Sequence, residues 1–154
     1  MHRIHPDLPH LPVVIEQGIT LDELISRVQK ARGKPLRIHQ LDELGNGPNA
    51  LCGLWLATDT EDIILHAPSE SALHREQFIL HELAHMLLLH DQVDDTQGYV
   101  TPTVLPNLGQ GPVLKALGRG NISDEYELRA ERLADILATH LRRPPVSKFS
   151  EIFG

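Results

Sequence analysis

The sequence predicts an α+β protein, a small three-stranded, partly antiparallel sheet packed on helices. Three observations carry this. Residues 21–32 repeat apolar side chains at helical spacing between a start and a stop signal. Three short apolar runs follow, the last two joined by a tight polar turn. Two further helical segments come after them, separated by a stretch rich in Gly and Pro.

Helix one is expected over Leu21–Arg32. Thr20 serves as N-cap, Glu23 completes a capping box and Gly33 stops the helix. Leu21, Leu24, Ile25 and Val28 line one face, which packs on a core. The strands are expected at Leu36–His39, Leu51–Ala57 and Ile63–Ala67. Thr58-Asp59-Thr60-Glu61 reads as a hairpin turn, and so short a connection implies antiparallel pairing of the last two strands. Helix two runs from about Ala72 to His90. Its middle, Phe78 to Leu89, is apolar nearly all round, as in a helix buried in a core. The last helix runs from about Asp124 to Leu141, with Ser123 as N-cap and Pro144-Pro145 ending it. Residues 1–18 read as an irregular arm. Residues 94–122 read as a long Gly/Pro-rich loop with one short helix near Val113 to Leu117. The 154 residues fit a single domain, 1–154.

Composition narrows the function classes. Net charge is −7 with histidine neutral, and no run of basic residues is longer than the pair Arg142-Arg143. That argues against direct nucleic-acid binding. No window approaches 18 consecutive apolar residues, which excludes a helical membrane span. Met1 to Pro12 lacks the pattern of a signal peptide, so a cytoplasmic location is expected. Cys52 is the only cysteine, which rules out an intrachain disulfide or a thiolate cluster within one chain. Histidine is unusually common, at 10 of 154 residues.

Two of those histidines form the informative motif. His81-Glu82-Leu83-Ala84-His85 is an H-E-x-x-H segment inside helix two. Residues four apart share a helix face, so the two imidazoles can converge on one tetrahedral ion. Glu82 then lies beside the ion, where a carboxylate can take a proton from a metal-activated water. With 10 His and 11 Glu in the chain, chance placement gives roughly 0.05 such motifs. Three polar side chains inside an apolar run are also costly to bury without partners, and a metal would supply one. A polar stripe facing solvent is the plainer alternative. Zn2+ is the expected ion, with Mn2+ as the other candidate.

A third protein ligand would leave one position open for water. A third histidine six residues after His85 is missing, since that position is Asp91. His90 lies on the wrong side of a continuing helix. The last helix offers Glu127, Glu131 and Asp135 as an i, i+4, i+8 stripe, with small Ala130 and Ala134 beside it for close helix approach. Glu127 is favoured as the third ligand, with Glu131 as the carboxylate partner of a ligand histidine, and the two can be exchanged. A solvated acidic face is the bland reading of the same stripe.

The segments Ile79–His90 and Glu127-Leu128-Arg129-Ala130-Glu131-Arg132-Leu133-Ala134 resemble the ImmA/IrrE family of zinc metallopeptidases. The Glu127–Ala134 segment is similar to that family's E-x-x-A ligand helix. Gly53-Leu54-Trp55 and the hairpin are similar to short members of actinobacterial or mobile-element type that consist of the catalytic domain. The resemblance covers roughly residues 20–141. It implies a gluzincin-like minimal metallopeptidase with an active-site helix and a ligand helix. It implies His81, His85 and Glu127 as zinc ligands and Glu82 as general base. It also implies a protein substrate, a helix-turn-helix repressor whose cleavage releases genes in stress response or mobile-element transfer. The long interval between His85 and Glu127 departs from the family pattern.

Three further residues are candidates for substrate or oxyanion contact. His66 lies on the strand before helix two, which is expected to be an edge strand that pairs with substrate backbone. Its plainer reading is a surface-facing strand histidine. Tyr99 and Tyr126 could each donate to an oxyanion. Two other classes of function compete with proteolysis. One is a non-catalytic, metal-containing module that holds a partner. The other is a toxin of a toxin–antitoxin-like pair. A general base at position 82 argues against a purely structural metal site.

Overall fold

The computed structural model describes residues 10–45, 52–89, 113–117 and 124–143, the segment 113–117 through its backbone alone. Helix α1 (Leu21–Arg32) has the limits its caps predict. The Thr20 hydroxyl accepts from the Glu23 N–H at 3.1 Å. Gly33 ends the helix with φ 70°, a left-handed conformation that costs glycine little. Strand β1 (Leu36–Gln40) follows, then β2 (Gly53–Thr58) and β3 (Asp62–His66). Thr58 closes the β2–β3 hairpin: its N–H donates to the Glu61 carbonyl at 3.0 Å and its hydroxyl accepts from the Glu61 N–H at 2.9 Å.

Helix α2 (Ala72–Leu87) starts at Ser71, whose hydroxyl accepts from the His74 N–H. It stops three residues before the expected end at His90. Leu89 takes φ 57°, the left-handed turn that terminates helices and that glycine normally supplies. Helix α3 (Asp124–His140) closes the described chain. Its end is tied to the start of α1: the Gly18 N–H donates to the His140 carbonyl and the Arg142 N–H to the Ile19 carbonyl, both at 2.8 Å.

The sheet has one strand more than the sequence predicts. Its order is β1-β3-β2-β4, where β4 is Val113–Leu117. A strand thus stands where the sequence predicts a short helix. Five residues are too few to stabilise a helical nucleus alone, whereas the free side of β2 offers ready backbone partners. β4 runs antiparallel to β2, β2 antiparallel to β3, and β1 parallel to β3. The predicted α+β class and the predicted hairpin are both present.

The two central strands are buried on both faces. Trp55, Ala57 and Ile64 face the helices and pack with Leu24, Val28, Leu80, Leu83 and Leu133. Leu54, Leu56, Ile63 and Leu65 face the other way, with Leu44 and Ala67. Double burial explains why β3 reads as a continuous apolar run rather than an alternating one.

One polar group is held within this core. Asp62, 1% exposed, accepts from Arg32 Nε at 2.6 Å and from Trp55 Nε1 at 3.0 Å. The Arg32 guanidinium also lies 4.7 Å from the centre of the Trp55 ring. Arg32→Met would strand the buried carboxylate. The expected cost is about 3–5 kcal/mol, visible as a lower urea midpoint at pH 7. An unchanged midpoint would show that the ion pair contributes nothing.

Candidate metal centre

α2 and α3 cross as antiparallel neighbours. His81 and His85 meet Glu127, Gln77 Nε2 donates to Asp135 at 3.1 Å, and Arg143 Nε donates to Glu76 at 3.0 Å. Falling numbers on α2 thus meet rising numbers on α3. Ala84, Ala130 and Ala134 are fully buried in the core that the two helices share with α1 and the sheet. The approach brings three donors together from two elements.

His81 and His85 both present Nε2. His81 Nε2 is 3.1 Å from Glu127 Oε2, His85 Nε2 is 3.1 Å from Glu127 Oε1, and the two Nε2 atoms are 3.2 Å apart. Without an ion, one imidazole N–H donates to the other ring's nitrogen across this gap. A tetrahedral ion with ligands at about 2.0–2.1 Å would have donor–donor edges of about 3.3–3.4 Å. The observed spacings are slightly shorter, so the donors need to open only a little to hold such an ion. The carboxylate gives independent support. Glu127 Oε1 is buried with no hydrogen bond. His85 is within reach of it but not aligned to donate, and a buried carboxylate oxygen normally finds a partner. The three residues form a group that could hold a metal ion. The two-imidazole, one-carboxylate donor set suits zinc.

The electrostatics follow from position. His81 sits at the rim and His85 inside, with side-chain exposures of 24% and 2%. Burial opposes a proton on both. At His81 the hydrogen bond to Glu127 and the charges of Glu82, Glu127 and Glu131 overcome it, and the pKa is raised. At His85 burial prevails over Glu127, helped by the charge of His81, and the pKa is lowered. Glu127 is buried too, but its interactions with the two imidazoles and their charges hold its carboxyl well below the usual range. In the metal-free protein protonation therefore favours His81 over His85, and Glu127 stays ionised. Both imidazoles must be free of added protons to bind a metal, so affinity is expected to fall in acid.

Glu82 lies beside this cluster, 3% exposed, and its Oε2 has no hydrogen-bond partner. Burial pushes its carboxyl up to about 8, with the charge of His81 opposing and that of Glu127 adding. In an unfolded chain the ordinary value is 4.5. Between these values the unfolded chain has released a proton that the folded chain keeps. Stability of the metal-free protein therefore falls as pH rises through this window, then levels off. Glu82→Gln lacks that loss. Its urea midpoint should exceed that of wild type by a margin that grows from pH 5 to pH 8. A margin independent of pH would mean that Glu82 titrates normally.

The remaining predicted residues fall differently. Glu131 is exposed and acts on His81 through charge, without a hydrogen bond to either imidazole. Asp135 is exposed and bonds Gln77. The exchange of Glu127 for Glu131 as ligand is therefore not what this packing presents. β3 is not an edge strand, because β1 and β2 flank it. Its backbone groups are taken up by sheet pairing and cannot receive a substrate strand. His66 does not face the surface: it is 8% exposed. It pairs across the sheet with Gly53, and directly opposed residues share a face, here the α2 side. Its Nδ1–H donates to the Ala67 carbonyl at 3.0 Å. A neutral His66 therefore carries a lone pair on Nε2 and can only accept there, which does not suit an oxyanion donor. The Tyr126 ring packs on the core, 5.6 Å from the Arg129 guanidinium, and these contacts do not bring it to the donor cluster. Tyr99 and His90 lie outside the described residues. Gly53, the residue against Glu82, carries no signal of its own in the sequence. A glycine inside an apolar strand run marks a close approach only once its neighbour is known. No described helix is long and apolar enough to cross a membrane. Comparison of the chain with protein-family models, with curated proteins and with solved structures found no match.

Proposed function

We propose that this chain is a zinc-dependent metalloendopeptidase with a protein substrate, a helix-turn-helix transcriptional repressor. The observation that carries the proposal is Glu82. A buried carboxyl with an unpaired oxygen, one residue from His81 and beside a three-donor cluster, has no evident structural purpose. As a general base it has one. The ImmA/IrrE-like motifs on α2 and α3 point the same way, and the repressor is taken from that resemblance.

His81, His85 and Glu127 would hold the ion. Once bound, Zn2+ supplies Lewis acidity, acidifying a water and polarising a peptide carbonyl. Glu82 accepts the proton of the attacking water and delivers it to the leaving amine. Burial strengthens its hold on the proton it must carry, and the positive charge of an ion held by His81, His85 and Glu127 would favour the ionised form that the first step needs. His81, at the rim, stays open to solvent while His85 and Glu127 are enclosed, so substrate would approach from the His81 side.

The direct test incubates the zinc-loaded protein with any helix-turn-helix regulator encoded beside its gene and resolves the mixture on a denaturing gel. Two products that vanish with a chelator or with Glu82→Gln support the proposal. An intact repressor in a stable complex would favour a binding module. Growth arrest that persists with Glu82→Gln would favour a toxin acting by contact.

A further inference from the structure

We infer that Gly53 is the positioning residue for Glu82: the side chain missing from β2 is the space that the carboxylate occupies. This rests on Glu82 acting as the base proposed above. A Cβ built on Gly53 would lie 2.9 Å from Glu82 Oε1, 3.2 Å from its Cγ and 3.4 Å from its Cδ. No other described glycine is crowded by a functional side chain. Gly18, Gly33 and Gly45 all have positive φ, which is reason enough for glycine at each. Gly53 has no such φ. Its backbone is ordinary strand, where glycine weakens a sheet by contributing nothing to packing. The one constraint left at this position is the approach of Glu82.

The strand cannot retreat to make room. Gly53 is in register with His66 on β3, and the Cys52 carbonyl beside it accepts from the Ala67 N–H at 2.9 Å. The Glu82 side chain is the softer partner, because its far end can rotate. An added methyl group would therefore move the carboxylate rather than the sheet. The metal donors would not follow. His81 and His85 meet Glu127 on α3, while Glu82 points at β2. Base and ligands are thus set by two different neighbours of the same helix, the sheet for one and α3 for the other.

The test is Gly53→Ala in the full chain. The variant is expected to bind one equivalent of Zn2+ with affinity within about twofold of wild type in a chelator competition, since no ligand is touched. Its crystal structure should show the Glu82 carboxylate displaced by about 1 Å or more, enough to lower kcat roughly 10- to 100-fold on any substrate that wild type cleaves, with KM held. The loss should be smaller in a Glu82→Asp background, whose shorter side chain gives up the closest contact, the one at 2.9 Å to Oε1, and keeps only the looser one at Cγ. An unmoved carboxylate overturns the inference, as do equal losses in both backgrounds or loss of Zn2+ binding. If Gly53→Ala does not fold, Gly53→Ala with Glu82→Ala decides. Normal folding of that pair supports the steric assignment, and failure overturns it. If wild type cleaves nothing, the reading of Glu82 as a base fails, while the crystal structure still decides whether Gly53 holds it.

Discussion

Glu82→Gln is expected to keep the metal and lose at least about a thousandfold in peptide cleavage, the upper range for removing a general acid–base group. Zn2+ affinity should be unchanged, because the ion would be held by His81, His85 and Glu127 and not by position 82. The amide has nearly the shape of the carboxylate, so the buried pocket between α2 and Gly53 is filled as before. Only the ability to take a proton is removed. Two measurements together are decisive: metal stoichiometry and single-turnover cleavage of the proposed repressor substrate. A variant that binds Zn2+ and cleaves at the wild-type rate would remove Glu82 from the chemistry. A variant that loses Zn2+ would make Glu82 part of the ion's support.

The other large effect is expected at Glu127. Glu127→Ala removes the one donor that α3 contributes. Changing a group that only supports a ligand already costs 10- to 100-fold in metal affinity, so loss of a direct ligand should cost more than about 100-fold. Glu131→Gln, by contrast, should cost less than about tenfold, since Glu131 is exposed and touches neither imidazole. The pair of variants distinguishes the two carboxylates that the sequence leaves interchangeable. Melting temperature gives an independent readout. Zn2+ at 100 times its dissociation constant should stabilise wild type by about 2.7 kcal/mol, or roughly 5–10 °C for a chain of this size. Glu127→Ala should show no such rise. A rise that survives in Glu127→Ala but disappears in Glu131→Gln would reverse the assignment.

Much of this molecule is written in local sequence. The limits of α1 follow from Thr20 and Gly33, and the hairpin follows from Thr58 to Glu61. The pairing of His81 with His85 needs only the period of one helix. These are short-range features, and short-range geometry is what residue spacing encodes. Glu127 is a different case. The periodicity of α3 places Glu127, Glu131 and Asp135 on one face but does not say which turn lies opposite His81 and His85. Successive turns are about 5.4 Å apart along the axis, and the axial offset of two helices is decided by how their buried side chains interlock. The observed offset puts Glu127 opposite His81 and His85.

The same reasoning covers what sequence reading misplaces. From sequence, His66 reads as a surface residue and β3 as an edge, because neither β1 beside β3 nor the helices above it can be inferred from a five-residue run. Val113–Leu117 has the composition of a helix and becomes a strand, since the open side of β2 supplies partners that an isolated segment lacks. By itself, then, the sequence determines an α+β chain with two histidines spaced to share a metal ion and a glutamate beside them on one helix. Only the tertiary structure decides which carboxylate completes the donor set and which strand residue makes room for Glu82, because both depend on distances between elements that no spacing along the chain contains.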